Sequence, residues 1–416
     1  MKNLKILVIN HAIPKPDCNA GDKRLFEILK IFAQHHTVDI WIESEDKTLA
    51  DLDRQRYENL LADINVTRLT DKLGVKGILA KSYYHIIFFE FYWMAGEYVV
   101  SACRKYQPHA KIIIDSVDLH FARESLALNL GLIAKEQVEE TKKKELNAYA
   151  SVDLVIAASE LDRQLLQEED KNLKIFVIPI IAAIQKQSIG DSTELIFIGG
   201  FKWSPNIDGI VWFVEHIWSE IEDCLPDTTL TIVGSNPTPE ILELGKKPGI
   251  NVVGYVPDTT PYLQRAAISI APLRFGAGMK GKVVEAMSLG LPVVTTSVGA
   301  QGLKANSGEH LLIADLPQEF STAVIDLLKD SAYRAQIGLA GQSHAKKLFS
   351  PEAVEIEIQN MMSSLFSGNF RKFLTIPWFA NIVKLRAIDI FIDTLRATGL
   401  IKIVKSLRGL KTVDRI

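Results

Sequence analysis

Apolar positions in the first half of the chain alternate between two rhythms. "KILVIN" (5–10) is a continuous run of the buried-strand type, and the following "KRLFEILKIFAQ" sets Leu25, Phe26, Leu29, Phe32 and Ala33 at helical spacing. "TVDIWI" returns to strand. A polar helical stretch leads to "YYHIIFFEF", a helix from Trp93 to Tyr106, and the strand "AKIIIDS". A long charged helix around "KEQVEETKKKELNAYA" precedes "DLVIAAS", a short helix and "KIFVIPI". After a linker-like "AAIQKQSIGDST" the rhythm restarts with "ELIFIGG". "IDGIVWFVEHIWSEI" then predicts one amphipathic helix with Ile210, Phe213, Ile217 and Ile221 on a single face. The strands "TLTIVGS", "INVVGYV", "AISIAPL", "LPVVTT" and "HLLIAD" complete the pattern, separated by helices. Alternation of this kind predicts parallel sheets covered on both faces. The expected fold class is α/β, with two doubly wound units in tandem. Ligands of such sheets bind beyond the carboxyl ends of the strands, so those ends hold the candidate chemistry.

Composition narrows the picture in three ways. A net charge of -3 argues against a general nucleic-acid partner. The three cysteines, Cys18, Cys103 and Cys224, are far apart and suggest reduced thiols of a cytosolic protein and no metal cluster. The apolar run at the N-terminus is too short for a signal peptide, and no window offers about 18 uncharged apolar residues, so no spanning helix is expected. The charge is uneven: residues 367–416 carry ten Lys/Arg against three Asp, interleaved with apolar residues at helical spacing. That segment suits an anionic membrane surface, or else packs as a structural helix on the first unit.

The stretch "FGAGMKGKVVEAM" contains Gly276, Gly278 and Gly281 in G-x-G-x-x-G spacing. A dinucleotide role needs this string at the first turn of its unit and an acid ending the next strand. Several strands precede it here, and "LPVVTT" ends in Thr295, Thr296 and Ser297. The loop physics remains: glycines expose backbone N–H groups, a helix N-terminus follows, Lys280 and Lys282 add positive charge, and Glu285 sits one turn in. A nucleotide diphosphate carrying a sugar fits this set, with the carboxylate accepting two ribose hydroxyls. A tight turn with two solvated lysines and a capping acid fits it equally.

Five stretches, in order, resemble retaining GT-B glycosyltransferases of the family-four group (glycosyl transferases group 1). They are "PDCNAGDKRLFEILKIFA", "IIIDSVDLHFARE", "FIGGFKWSPNIDGIVWF", "INVVGYVPD" and "PLRFGAGMKGKVVEAMSLGLPVVTT". The resemblance runs from residue 1 to about 366. It implies a GT-B fold of two Rossmann-like domains facing across a cleft. The expected division is an acceptor-side domain over 1–182, a nucleotide-sugar domain over 183–344, a helix returning to the first domain over 345–366, and a basic tail over 367–416.

The resemblance also implies metal-independent, cofactor-free transfer from a nucleotide-diphosphate sugar, with retained anomeric configuration, to a glycan or lipid-linked acceptor. Glu285 would hold the ribose, and Lys202 and Lys282 would neutralise the diphosphate beside Gly199 and Gly200. Backbone at Tyr255 and Val256 would read the base, and backbone at Gly276, Ala277 and Gly278 would touch the sugar. Gly21 would close from the opposite wall, with His120 near the transferred sugar. Many relatives carry a second Glu eight positions before the ribose-binding one, where this chain has Ala277.

From the residues themselves, Arg24 and Glu90 are candidates for the acceptor side. Arg24 begins a helix, where a cation calls for a nearby anion, and Glu90 ends a strand. Each also has a plain reading as a packed or capped residue, as do His120, Lys202 and Trp203. Tyr92 and Trp93 either complete a strand core or flank the acceptor. Alternatives to the transferase are a catalytically silent nucleotide-sugar-binding protein and a GT-B sugar-nucleotide epimerase.

Overall fold

Two parallel sheets organise the chain. Their coordinates come from a computed structural model that describes residues 4–44, 51–71, 74–129, 131–185 and 192–366. The first sheet contains β1 (Lys5–Asn10), β2 (Thr37–Ile42), β3 (Val66–Leu69), β4 (Ile86–Glu90), β5 (Lys111–Asp115), β6 (Leu154–Ala157) and β7 (Ile175–Val177), in the order 3-2-1-4-5-6-7. The second contains β8 (Glu194–Ile198), β9 (Thr229–Val233), β10 (Ile250–Gly254), β11 (Ile268–Ala271), β12 (Val293–Thr295) and β13 (Leu312–Ile313), in the order 10-9-8-11-12-13. Every pairing between these strands is parallel. Each order reverses once, between β1 and β4 and between β8 and β11, and a crevice opens at such a reversal.

The apolar runs become strands because both sheet faces are covered. Leu4, Ile6 and Val8 join one core with the helix Ala20–His35, while Leu7 and Ile9 join another on the opposite face. The second sheet is likewise sandwiched between two cores. The helix Pro351–Leu365 returns to the first domain, where Val354, Ile358, Met361 and Met362 enter its core. Ser350 starts it by accepting from the N–H of Ala353, with Pro351 at the first position, where its missing N–H costs nothing. The domain edge expected at 345 falls inside the helix Ser331–Phe349, whose Phe349 packs in the second domain.

Three local expectations differ from the structure. The helix expected from Trp93 begins instead as a 3-10 turn, Tyr92–Ala95; Gly96 breaks it, and a helix runs from Glu97 to Tyr106. The helix expected over "IDGIVWFVEHIWSEI" is two helices, Ser204–His216 and Trp218–Cys224, which part at Ile217. Both halves still bury Ile210, Phe213, Ile217 and Ile221, so the apolar face was read correctly while the bend went unseen. The edge strand β3 has only four residues and gave no distinct run. The basic tail over 367–416 lies outside the described residues. Among the described residues, no helix is long and apolar enough to cross a membrane.

Candidate functional site

The carboxyl ends of the two sheets meet. The glycine loop before the helix Gly281–Ser288 is held from below by Lys280, whose ammonium donates to the carbonyls of Ala277 (3.1 Å) and Gly278 (2.6 Å), and more weakly to that of Gly276 (3.4 Å). Burial lowers Lys280 to about 8, although the nearby carboxylates Asp162 and Asp118 work against that fall. Lys282 lies two residues on, in the first turn of that helix. Its Nζ donates to Asn206 Oδ1 at 2.6 Å and stands 4.2 Å from the centre of the Phe197 ring. Burial first, then the charge of Lys280, brings Lys282 down to about 7. Asn206 in turn donates to the carbonyl of Gly200 at 2.8 Å. Lys280 and Lys282 thus lie together at the reversal between β8 and β11, and among the described residues no carboxylate is in salt-bridge contact with either. Burial is the leading cause of both lowered values.

Gly199 is explained by this arrangement. A Cβ there would lie 2.7 Å from Asn206 Cγ and 2.8 Å from Lys282 Nζ, displacing the pair. Lys202 is exposed just beyond, after buried Phe201.

Glu285 is engaged across the cleft. Its Oε1 accepts from Lys23 at 2.7 Å and from Thr259 Oγ1 at 3.3 Å. Tyr255, 47% exposed, donates its hydroxyl to Asp17 of the first domain at 2.7 Å. Val256 is half-buried against the second core. Gly278 and Gly281 serve the same closure. A Cβ on Gly278 would stand 2.9 Å from Asp118 Cβ, and one on Gly281 would stand 2.6 Å from Ala20 Cβ. The glycines expected to approach a ligand thus also let the domains approach each other. Gly21 opens the helix Ala20–His35, whose cap Asn19 accepts from the N–H of Asp22.

On the first domain, His120 begins the helix His120–Asn129 rather than standing in a loop. Its backbone N–H and that of Phe121 are taken by Glu145, a buried carboxylate that also accepts from the Tyr149 hydroxyl. The His120 ring lies 3.2 Å from Asp118 Oδ1 through Nε2 and 3.1 Å from Arg123 Nη2 through Nδ1. Arg123 also pairs with Asp118. Burial pushes the Asp118 carboxyl upward, but the bond to His120 and the charge of Arg123 outweigh it and hold the group below its ordinary value. The backbone around this trio is strained. Phe91 and Val117 have φ of 67° and 60°, just past the ends of adjacent β4 and β5. For bulky and β-branched residues such values are outliers that gather at functional sites.

Two acceptor-side expectations meet a different geometry. Arg24 is 3% exposed and pairs with Asp115, while also donating to the carbonyls of Ile178 and Pro179. The anion that its position demanded is therefore an internal one. Glu90 is 1% exposed, and its Oε2 has no hydrogen-bond partner. Burial, then Asp22 and Asp115, raise it well above the usual carboxylate range. The sequence reading missed Lys23 and Asn206 as site residues. Lys23 is one of two lysines of an amphipathic helix, with nothing local to set it apart from Lys30, and Asn206 stands in the sequence only as the end of "WSPN".

Residues 192–330 match the family model described as Glycosyl transferases group 1. An uncharacterized 44.6 kDa protein in the cps region of Klebsiella pneumoniae is 26% identical over 224 residues, covering 50% of this chain and 56% of that protein. The O-antigen chain mannosyltransferase B of Escherichia coli is 34% identical over 113 residues, covering 26% of this chain and 29% of that one. The matched stretch is thus about half or less of the length of either curated relative. Among solved structures, Anabaena HepE in complex with UDP and glucose superposes with a TM-score of 0.65 at 17% identity, covering 87% of this chain and 100% of that one. Sucrose-phosphate synthase from Thermosynechococcus elongatus gives 0.67 at 16%, covering 88% and 100%. The fold is GT-B: two Rossmann-like domains facing across a cleft.

Proposed function

We propose that the chain is a glycosyltransferase that moves a sugar from a nucleotide-diphosphate donor to a glycan or lipid-linked acceptor, with retention and without a metal. The observation that carries this reading is the pair Lys280 and Lys282, buried at the β8/β11 reversal beside the N-terminus of the helix Gly281–Ser288, with His120 in the opposing domain. A glycosyltransferase model matching the segment that holds both lysines supports it. The UDP and glucose of the HepE crystals support a nucleotide-sugar donor. The O-antigen and cps-region relatives support a surface polysaccharide as the product.

In this reading Glu285 exchanges Lys23 for the ribose hydroxyls, and backbone at Tyr255 and Val256 reads the base. Lys282, the Gly281–Ser288 helix N-terminus and exposed Lys202 take the diphosphate between Gly199, Gly200 and Gly21. The bond from anomeric carbon to phosphate oxygen breaks toward that positive charge, which stabilises the leaving group as it forms. The acceptor oxygen attacks the same face, and its proton passes to the departing phosphate. Gly276, Ala277 and Gly278 offer backbone rather than a carboxylate to the sugar, with His120 beside it. The enzyme works on the cytoplasmic side, and the tail over 367–416 holds it at an anionic membrane surface.

The test is a thermal-shift panel of UDP-, GDP- and dTDP-sugars followed by transfer assays. A ligand at 100 times its Kd adds about 2.7 kcal/mol. A panel without any shift would defeat the reading. A shift without hydrolysis or transfer would favour the silent nucleotide-sugar binder.

A further inference from the structure

Two tryptophans stay exposed around His120 and Arg123, Trp93 against the His120 ring and Trp203 under the Arg123 guanidinium. Trp93 is 43% and Trp203 44% exposed. Phe91 stacks on one face of Trp93, with centroids 4.2 Å apart and planes 11° apart, and Tyr92 meets the ring at 5.3 Å with planes 83° apart, yet Trp93 keeps its exposure. Phe91 holds this place at a φ of 67°, a conformation that a bulky residue adopts only under constraint. The His120 ring meets Trp93 edge-on at 5.0 Å. Arg123 links His120 to the second domain by lying 4.8 Å from the Trp203 ring.

We infer that Trp93 is the platform of an acceptor subsite that takes a pyranose ring. This rests on the transferase reading and names its acceptor class. A pyranose has an apolar face of axial C–H groups, which an indole covers, and a rim of hydroxyls, which needs donors and acceptors together. Both are present. Arg123 has five N–H donors, of which the bonds to Asp118 and His120 use two. Asp118 is held ionised and supplies acceptor oxygens. An anionic headgroup without a sugar would meet that carboxylate, and a bare aliphatic chain would cover the indole but use none of the remaining N–H donors of Arg123. The exposed indole of Trp93 beside these groups therefore selects a glycan terminus.

The experiment is saturation-transfer NMR of the full chain with a panel of methyl α- and β-pyranosides. At least one pyranoside binds the wild type, and Trp93→Ala weakens it about five- to tenfold, the worth of one aromatic stacking contact. Trp93→Phe keeps a flat ring and restores most of the binding. Affinity for nucleotide sugar, read by thermal shift, falls less than pyranoside affinity in either variant, because most of the donor residues, Lys202, Tyr255, Val256, Lys282 and Glu285 among them, lie on the other domain. Three results overturn the inference: no pyranoside bound by the wild type, equal binding by Trp93→Ala, or an equal loss of nucleotide-sugar affinity. Failure of the transferase reading is distinct, since it shows as no nucleotide-sugar shift in the wild type whatever the pyranosides do.

Discussion

Donor binding should draw protons from solution, and the amount follows from the two site lysines. With Lys282 at about 7 and Lys280 at about 8 in the free protein, pH 8 leaves roughly nine-tenths of the first and half of the second neutral. A diphosphate beside them favours the charged forms and raises both values. Binding at pH 8 then takes up about 1.4 protons, whereas at pH 6 both lysines are already charged and uptake falls to about 0.1. The sign is fixed: affinity declines as pH rises through the free-state values. Between pH 7 and pH 8 the decline is about tenfold. A nucleotide sugar is the right ligand, because its doubly esterified diphosphate does not itself titrate in this range. The assay is calorimetry at each pH in two buffers of different ionisation enthalpy. Lys282→Met keeps the stem and removes the charge, so uptake at pH 8 should drop to about half a proton, that of Lys280 alone. Buffer-independent heats at pH 8, or unaltered uptake in Lys282→Met, would refute the placement of the diphosphate beside these lysines.

Glu285→Ala should weaken nucleotide-sugar binding by about 1.5–3 kcal/mol, the range for hydrogen bonds to a charged group, and unchanged affinity in calorimetry removes the ribose role. Gly234→Ala should cost about 1–3 kcal/mol or more, because its Cβ would lie 1.9 Å from the carbonyl oxygen of Gly199 and push β8 from β9. A urea midpoint equal to that of the wild type contradicts that packing. Truncation after Ser367 should reduce salt-sensitive binding to anionic vesicles, at about 1 kcal/mol per basic residue near the surface, while sparing nucleotide-sugar binding. Loss of thermal stability with unchanged vesicle binding would instead make the tail a structural helix.

The sequence by itself determined the long strands, their parallel class and the division into two doubly wound units, but not the short edge strand β3. Buried parallel strands must be continuously apolar, and "KILVIN" or "AISIAPL" can satisfy no other surrounding so well. It also marked the strand ends as the place to look for chemistry, since ligands of open parallel sheets bind there. It did not determine partners. Arg24 announced the need for an anion, but only the folded sheet, which brings the end of β5 within reach of that side chain, made the anion Asp115. Lys23 lies 262 residues from Glu285, a pair that exists because two sheets turn their carboxyl ends together, and Asn206 lies 76 from Lys282, a pair made within the second domain where β8 and β11 are neighbours. Glu90 looked reachable at a strand end, yet its orphaned oxygen is set by what covers β4. The bend at Ile217 escaped notice because both halves bury the same apolar face, and burial constrains composition more tightly than backbone direction. Periodicity reports what a segment hides from water. Which buried or cleft-side groups meet is decided by distances between elements far apart in the chain, and those arise only when the cores close.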